Sequence, residues 1–236
     1  MKALVAMLQF ATILPLGKPA DFEAFAKTSY LYPVAGYVIG GIAALLAYWI
    51  GNPVIAAAVA IAAVLLVSGC NHFDGLLDFG DGLMAHGDKE KRIHALTDRQ
   101  IGAGGVAMGI TVTLLLFAGL VASASVAIAI LVGEVCAKFS MALLTATGKP
   151  FTEGIHSYLH GFAKPWFPFI AALLCLPLLL LPVAPFKLAV VVIVMVACPA
   201  ILLLLSGNVF GGINGDVVGA SNEITRAFVV IALALA

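Results

Sequence analysis

Apolar runs of about the length of a bilayer crossing recur through this chain, and that pattern leaves few folds open. Backbone in lipid must satisfy its own hydrogen bonds, so such runs fold as helices packed into a bundle. The expected fold is therefore all-α, a polytopic integral membrane helical bundle. Of 236 residues, 63% are hydrophobic and 10% charged, which excludes a soluble domain. With 12 basic and 12 acidic residues the formal charge is zero, so no basic field favours nucleic acid as a partner. Cys70, Cys136, Cys175 and Cys198 lack C-x-x-C pairing and read as small membrane-helix residues, not as a zinc site or disulfide frame.

Residues 3–14 are apolar but too short to cross, and Pro15 stops them; an interfacial helix is expected there. No clear A-x-A site follows, which argues against a cleaved signal. Spans are expected at 34–50, 54–68, two within 104–144 broken near Ser123 and Ser125, 166–181 and 188–205. The last apolar run, 227–236, gives about 15 Å of helix against a hydrocarbon core near 30 Å. A seventh span must therefore start near Val217 and carry Glu223 and Arg226 inside the bundle or into a wet cavity. About six to seven spans thus form one catalytic domain over 1–236, with polar loops at 71–102, 145–165 and 206–226. Lys2, Lys18 and Lys27 precede the first span; Lys89, Lys91, Arg92, Arg99, Lys149, Lys164 and Arg226 lie in the three loops. The opposite connections carry only Lys187. The positive-inside rule puts the N-terminus and all three loops in the cytoplasm, on a multi-pass protein of the cell membrane.

The stretch 70–82, CNHFDGLLDFGDG, packs three acids into a chain with little charge. On a helix, the offsets of Asp74, Asp78 and Asp81 place three carboxylates within about 60° of one another, with Asn71 on the same face. Like charges on one stripe repel, so a cation is expected against them, and oxygen ligands suit Mg²⁺, which shares its shell with phosphates. A solvated acidic loop is the plainer alternative. Gly75, Gly80 and Gly82 would leave room for a ligand, and so would Gly211, Gly212 and Gly215. Asp98, later in the same polar stretch, and Asp216, from the last one, bring further acids. Arg99, Lys138, Lys149 and Lys164 could clamp the phosphates of a diphosphate substrate. Glu134 and Lys138, at i, i+4 within a span, are either functional or a self-satisfied pair that fixes packing. His72 falls about 160° from Asp74 if the helix already includes it; His86, His94, His156 and His160 read as surface or interfacial. Gly36/Gly40 and Gly105/Gly109 have GxxxG spacing, which serves helix packing or assembly into a homo-oligomer.

Three blocks together carry a resemblance: His72-Phe-Asp74-Gly-Leu-Leu-Asp78-Phe-Gly-Asp81-Gly82, Asp98-Arg-Gln-Ile-Gly102, and Gly211-Gly-Ile-Asn-Gly-Asp216-Val-Val-Gly219-Ala220. They resemble, in order, the signature blocks of the cobalamin synthase family, adenosylcobinamide-GDP ribazoletransferase; Tyr32-Pro33-Val-Ala-Gly36 resembles its first-span entry. The resemblance implies a Mg²⁺-dependent membrane enzyme joining adenosylcobinamide-GDP to α-ribazole or its 5′-phosphate, with GMP leaving. It implies Asp74, Asp78 and Asp81 as metal ligands, and Asp98 and Asp216 in support of metal or nucleophile; Asp81 or Asp98 is the expected general base. Asn71, His72, Arg99, Lys138, Gly212, Asn214 and Gly215 are the candidate substrate contacts. Arg99-Gln100 stands where the family pattern expects Ser-Arg, and Lys138 where it expects arginine, whose bidentate phosphate contact lysine cannot make.

Rival patterns fit less well. Asp78-Phe-Gly-Asp81-Gly82-Leu-Met-Ala85 matches the opening of the CDP-alcohol phosphotransferase motif, but His86 replaces its arginine and the later aspartates are missing. The N-D-x-x-D pattern of UbiA-type prenyltransferases is absent. A cation transporter would hold its acids near the bilayer midplane, not at one face.

Overall fold

In the computed structural model, which describes residues 2–236, the chain is built from α-helices. The N-terminal helix α1 (Lys2–Ala11) and the short α2 (Phe22–Ala26, capped by Asp21) precede α3 (Tyr32–Tyr48), which a 3₁₀ turn at Ser29–Leu31 extends. Asn52 caps α4 (Pro53–Val67) by accepting from the Val54 and Ile55 amides. The acidic stretch forms α5 (Asn71–Met84), and α6 (Lys89–Thr97) buries Leu96 beneath it. Then come α7 (Ala103–Ala122), α8 (Val126–Thr147), α9 (Ile155–Phe162), α10 (Phe167–Cys175, continued by a 3₁₀ turn), α11 (Pro185–Val209) and α12 (Gly215–Leu235).

Five helices are long and apolar enough to cross a membrane: α3 with its 3₁₀ turn, α7, α8, α11 and α12. The count becomes up to seven if the bent pairs α4–α5 and α9–α10 are each one span. The expected spans are all helical, and the last begins at Gly215, slightly earlier than sequence length required.

The bundle has an inner and an outer layer. In α8 and α12, 78% of the span is buried, against 33% in α7 and 22% in α11. The outer pair accordingly exposes Ile110, Leu114, Ile193, Ile201 and Leu204, side chains that suit lipid. Glycine sets the closest approaches. A Cβ on Gly36 would stand 2.7 Å from the Val135 Cα, and one on Gly40 3.0 Å from the Glu134 Cβ. Gly105 likewise lies against the Leu77 carbonyl. Both GxxxG pairs are therefore used within the chain, α3 on α8 and α7 on α5.

The elbow between α4 and α5 positions the acids. Gly69 (φ 64°) and Cys70 (φ 59°) both stand in the left-handed region, and the two helices meet at 94°. A left-handed cysteine carries backbone strain of about 1–2 kcal/mol. This turn lays α5 against the first part of α7, Phe73 and Leu77 meeting Gly109 and Gly105, at one end of the bundle, and α9 stands at 96° to α10. The polar stretches meet at that end, where Pro150 and Ile213 form an isolated parallel bridge. Its hydrogen bonds are Ile213 N–H to the Lys149 carbonyl (2.8 Å) and Phe151 N–H to the Ile213 carbonyl (3.3 Å).

Candidate active site

Helix α5 packs on α12 through glycine. A Cβ at Gly75 would lie 2.8 Å from the Asp216 carbonyl oxygen, and Gly219 faces the His72 backbone at 3.2 Å. Gly80 similarly admits Gly104 and Gly105 of the α7 end, and Gly82 admits α6 and Phe210. The space that sequence assigned to a ligand at Gly75, Gly80 and Gly82 is thus taken by neighbouring helices. Gly212 is also closed in, by Lys149 and Phe151, whereas Gly215 borders open space.

This packing brings Asp216 beside the α5 acids. Burial, then repulsion from Asp216, Asp74 and Asp81, pushes the Asp78 carboxyl up to about 7. Asp74 is exposed and Asp216 half-buried. Asn214 caps α12 by accepting from Val217 N–H (3.1 Å), and its amide donates to Asp216 at 2.7 Å. Asn214 thus holds Asp216 in place at the start of α12.

Asp81 has a different setting. Its carboxylate accepts from the Gly102 and Gly105 amides, at 2.7 and 2.8 Å, where α7 begins. Asp98 is exposed, accepts from Gln100 N–H, and shares with Asp81 a cleft of about 320 Å³ that Gly102 and Gly104 also line. Arg99 lies exposed on the same loop.

A second cavity, of about 410 Å³, opens at the other end of α5. Its rim holds Asn71, Gly215 and Asp216; its walls include Phe10, Tyr32 and Leu159. His72 lines it and does belong to α5, off the acid stripe as the helical angle required. His156 lines it too and is 3% exposed, which corrects the surface reading of that histidine. Its Nε2–H donates to the Gly148 carbonyl at 3.0 Å, and burial, the larger effect, lowers it to about 4. His86 and His94 are exposed, while His160 is half-buried and bonded to the Thr145 carbonyl. Phe10 and Thr145 escaped the sequence reading, Tyr32 entered it only through the family resemblance, and His156 only as a surface or interfacial histidine.

Lys138 does not reach either cavity. Its ammonium is fully buried, 2.8 Å from Glu134 and 2.8 Å from the Asn222 side-chain oxygen. Arg226 lies 3.3 Å from Glu134 and also pairs with Glu223. This is the self-satisfied arrangement, extended to a four-charge network on α8 and α12. Lys149 and Lys164 are exposed.

Would Mg²⁺ fit the acidic face? Among the described residues no three His, Cys, Asp or Glu side chains already enclose an ion. The donors are nevertheless all oxygen, and the ion pairs formed are Lys27–Glu23 and the buried network, leaving Asp74, Asp78 and Asp216 without a cation. Mg²⁺ is typically held by one or two carboxylates plus substrate phosphates, so an open acidic face suits it better than a closed cage would.

Fold and site together define a polytopic helical membrane protein whose carboxylates and two cavities gather at one end of the bundle. The chain belongs to the cobalamin-5-phosphate synthase family, whose model matches residues 3–234. It is similar to proteins named adenosylcobinamide-GDP ribazoletransferase. That of Methanococcoides burtonii is 33% identical, over 99% of this chain and 92% of the relative. That of Methanocella arvoryzae is 35% identical over 96% and 92%, and one from Archaeoglobus fulgidus 36% over 100% and 98%. No solved structure matches the chain.

Proposed function

We propose that this protein is a Mg²⁺-dependent adenosylcobinamide-GDP ribazoletransferase, working in the cell membrane with its acidic end toward the cytoplasm. A ribose hydroxyl of α-ribazole, or of its 5′-phosphate, attacks the corrinoid-side phosphorus of adenosylcobinamide-GDP. One P–O bond forms, the bond to the bridging oxygen breaks, and GMP departs, leaving adenosylcobalamin or its 5′-phosphate.

The observation that carries this reading is the set of cation-free carboxylates, Asp74, Asp78 and Asp216, beside a cavity in a chain of this family. Asp74 and Asp78 would hold Mg²⁺, with Asp81 next along the stripe. The ion, when bound, supplies positive charge to the diphosphate and its leaving group. Asp81 anchors the start of α7 and so fixes the loop that carries Asp98 and Arg99. Asp216 borders the cavity with its carboxylate steered by Asn214, and it takes the proton of the attacking hydroxyl. We favour it as the base over Asp81, whose oxygens already accept two amides, and over Asp98, which is exposed. Asn71 and His72, on the same cavity, contact the acceptor.

Proteoliposomes given Mg²⁺, adenosylcobinamide-GDP and α-ribazole test this directly. Equimolar GMP and cobalamin, abolished by EDTA, are expected. Folded protein that makes no GMP would sink the reading, and CDP-alcohol and prenyl-diphosphate donors would be tried next.

A further inference from the structure

The 410 Å³ cavity has an unusual wall. His72, Thr145 and His156 all line it, and each carries a buried side-chain atom without a hydrogen-bond partner: Nδ1, Oγ1 and Nδ1. The three residues are 5%, 1% and 3% exposed. The Thr145 hydroxyl lies beside that of Tyr32 but outside hydrogen-bonding geometry. Buried polar atoms in folded proteins are nearly always paired, and three unpaired ones around one cavity mark a place where a ligand completes the bonding.

Size and charge narrow the ligand. The volume lies within the range of roughly 300–1,000 Å³ typical of small-molecule sites, and a corrin ring with its side chains is far too large for it. No lysine or arginine lines it, and its one charged lining residue is Asp216 at the rim, so a nucleoside diphosphate has nothing to hold its phosphates inside. His156 is neutral at working pH, since burial lowers it to about 4. Phe10, Tyr32, Met141 and Leu159 supply apolar wall that suits a flat ring, and the Gln9 side chain, also on the lining, is bonded to the Lys18 and Ala20 backbone.

We infer that this cavity holds the heteroaromatic base of the acceptor nucleoside. Its ring nitrogen accepts from the Thr145 hydroxyl in the buried wall, and its sugar lies at the Asn71–Gly215–Asp216 rim. That places the attacking hydroxyl at the acids and leaves the Asp81/Asp98 cleft outside base recognition. The assignment rests on the ribazole-transfer reading and adds which residues choose the base.

The test is equilibrium dialysis of α-ribazole, and separately of GMP, with the full-length protein in nanodiscs, alongside steady-state kinetics. Wild type should bind α-ribazole saturably. Met141→Trp, which fills the cavity, should abolish that binding. Thr145→Val, nearly isosteric and checked for folding by thermal melting, should raise Kd and KM for α-ribazole about tenfold, the effect of one lost hydrogen bond, with KM for adenosylcobinamide-GDP unchanged. No α-ribazole binding by wild type overturns the inference. So do folded variants that keep α-ribazole binding, or that weaken GMP instead. If α-ribazole binds as described but no GMP forms with both substrates present, the transfer reading fails while the base site stands. If GMP forms and Thr145→Val leaves the α-ribazole KM unmoved, the base site fails alone.

Discussion

At one end of the bundle, Asp74, Asp78, Asp81 and Asp216 stand together with no lysine or arginine paired to them among the described residues. Between α8 and α12, by contrast, Glu134 and Glu223 are matched by Lys138 and Arg226, with Asn222 bridging. Both groups are costly in a membrane protein, and they meet the cost differently. The inner group is neutral as a whole and buried, and its ion pairs tie α8 to α12. The outer group is unbalanced and partly exposed. A proton or an incoming cation relieves its repulsion, which is why the proposed reaction is placed there.

The sharpest break in that comparison is Asp78→Asn. Removing one carboxylate from the outer group should lower GMP release on the order of 10⁴-fold, about 5 kcal/mol of transition-state stabilisation. It should not destabilise the fold, because it also removes repulsion. Thermal melting without Mg²⁺ should show an unchanged or higher midpoint, and a fall would place Asp78 in a structural role. Glu134→Gln should behave in the opposite sense. It leaves Lys138 and Arg226 short of a partner, and breaking a buried pair costs about 3–5 kcal/mol of stability. Denaturation in detergent micelles measures this, and turnover per folded molecule should stay near wild type. A large loss of turnover in folded protein would move the network into the active site.

The difference between the two groups was only half legible in sequence. Asp74, Asp78 and Asp81 show their common face because helical period alone sets it, and the apolar runs locate the spans for the same local reason. The pairing of Glu134 with Lys138 is equally local. Arg226 and Asn222 could not be joined to them, since that requires knowing that α12 packs on α8. Likewise the glycines of α5 read as room for a ligand, because a missing Cβ looks the same in sequence whether a substrate or a helix fills the gap. The cavity was hidden for the same reason. Phe10, Tyr32 and the pair Thr145 and His156 come from three separate stretches, and each residue alone is an ordinary membrane or loop residue.

A pH series sharpens the contrast further. The Asp78 carboxyl is raised to about 7 from its ordinary 3.8, so between those values the folded protein holds a proton that the unfolded chain has released. The ion-free protein should therefore lose stability as pH rises from 5 toward 7.5. Mg²⁺ needs the carboxylate form, so its affinity should change the other way, weakening about tenfold for each pH unit below 7 while one proton is displaced. Calorimetric titration of Mg²⁺ at pH 6 and pH 8 checks this. Equal affinities at the two would mean that Mg²⁺ displaces no proton from Asp78 in this range. Asp78→Asn should remove the stability trend, whereas Glu134→Gln should leave it in place.

The smallest effect tests where the outer group ends. Arg99 is exposed on the loop that Asp81 anchors, and Lys149 is exposed on the loop bridged to Ile213. Exposed charges act through water and salt, and each contributes under about 1 kcal/mol. Arg99→Ala should thus raise the KM for adenosylcobinamide-GDP about two- to fivefold, with the KM for α-ribazole unaltered, and the effect should shrink at 0.5 M salt. A loss that persists at high salt would mean that the loop closes over the diphosphate and buries Arg99 during turnover. The active end would then include a cation the resting structure keeps apart, and the contrast between a balanced core and an unbalanced surface would hold only until substrate arrives.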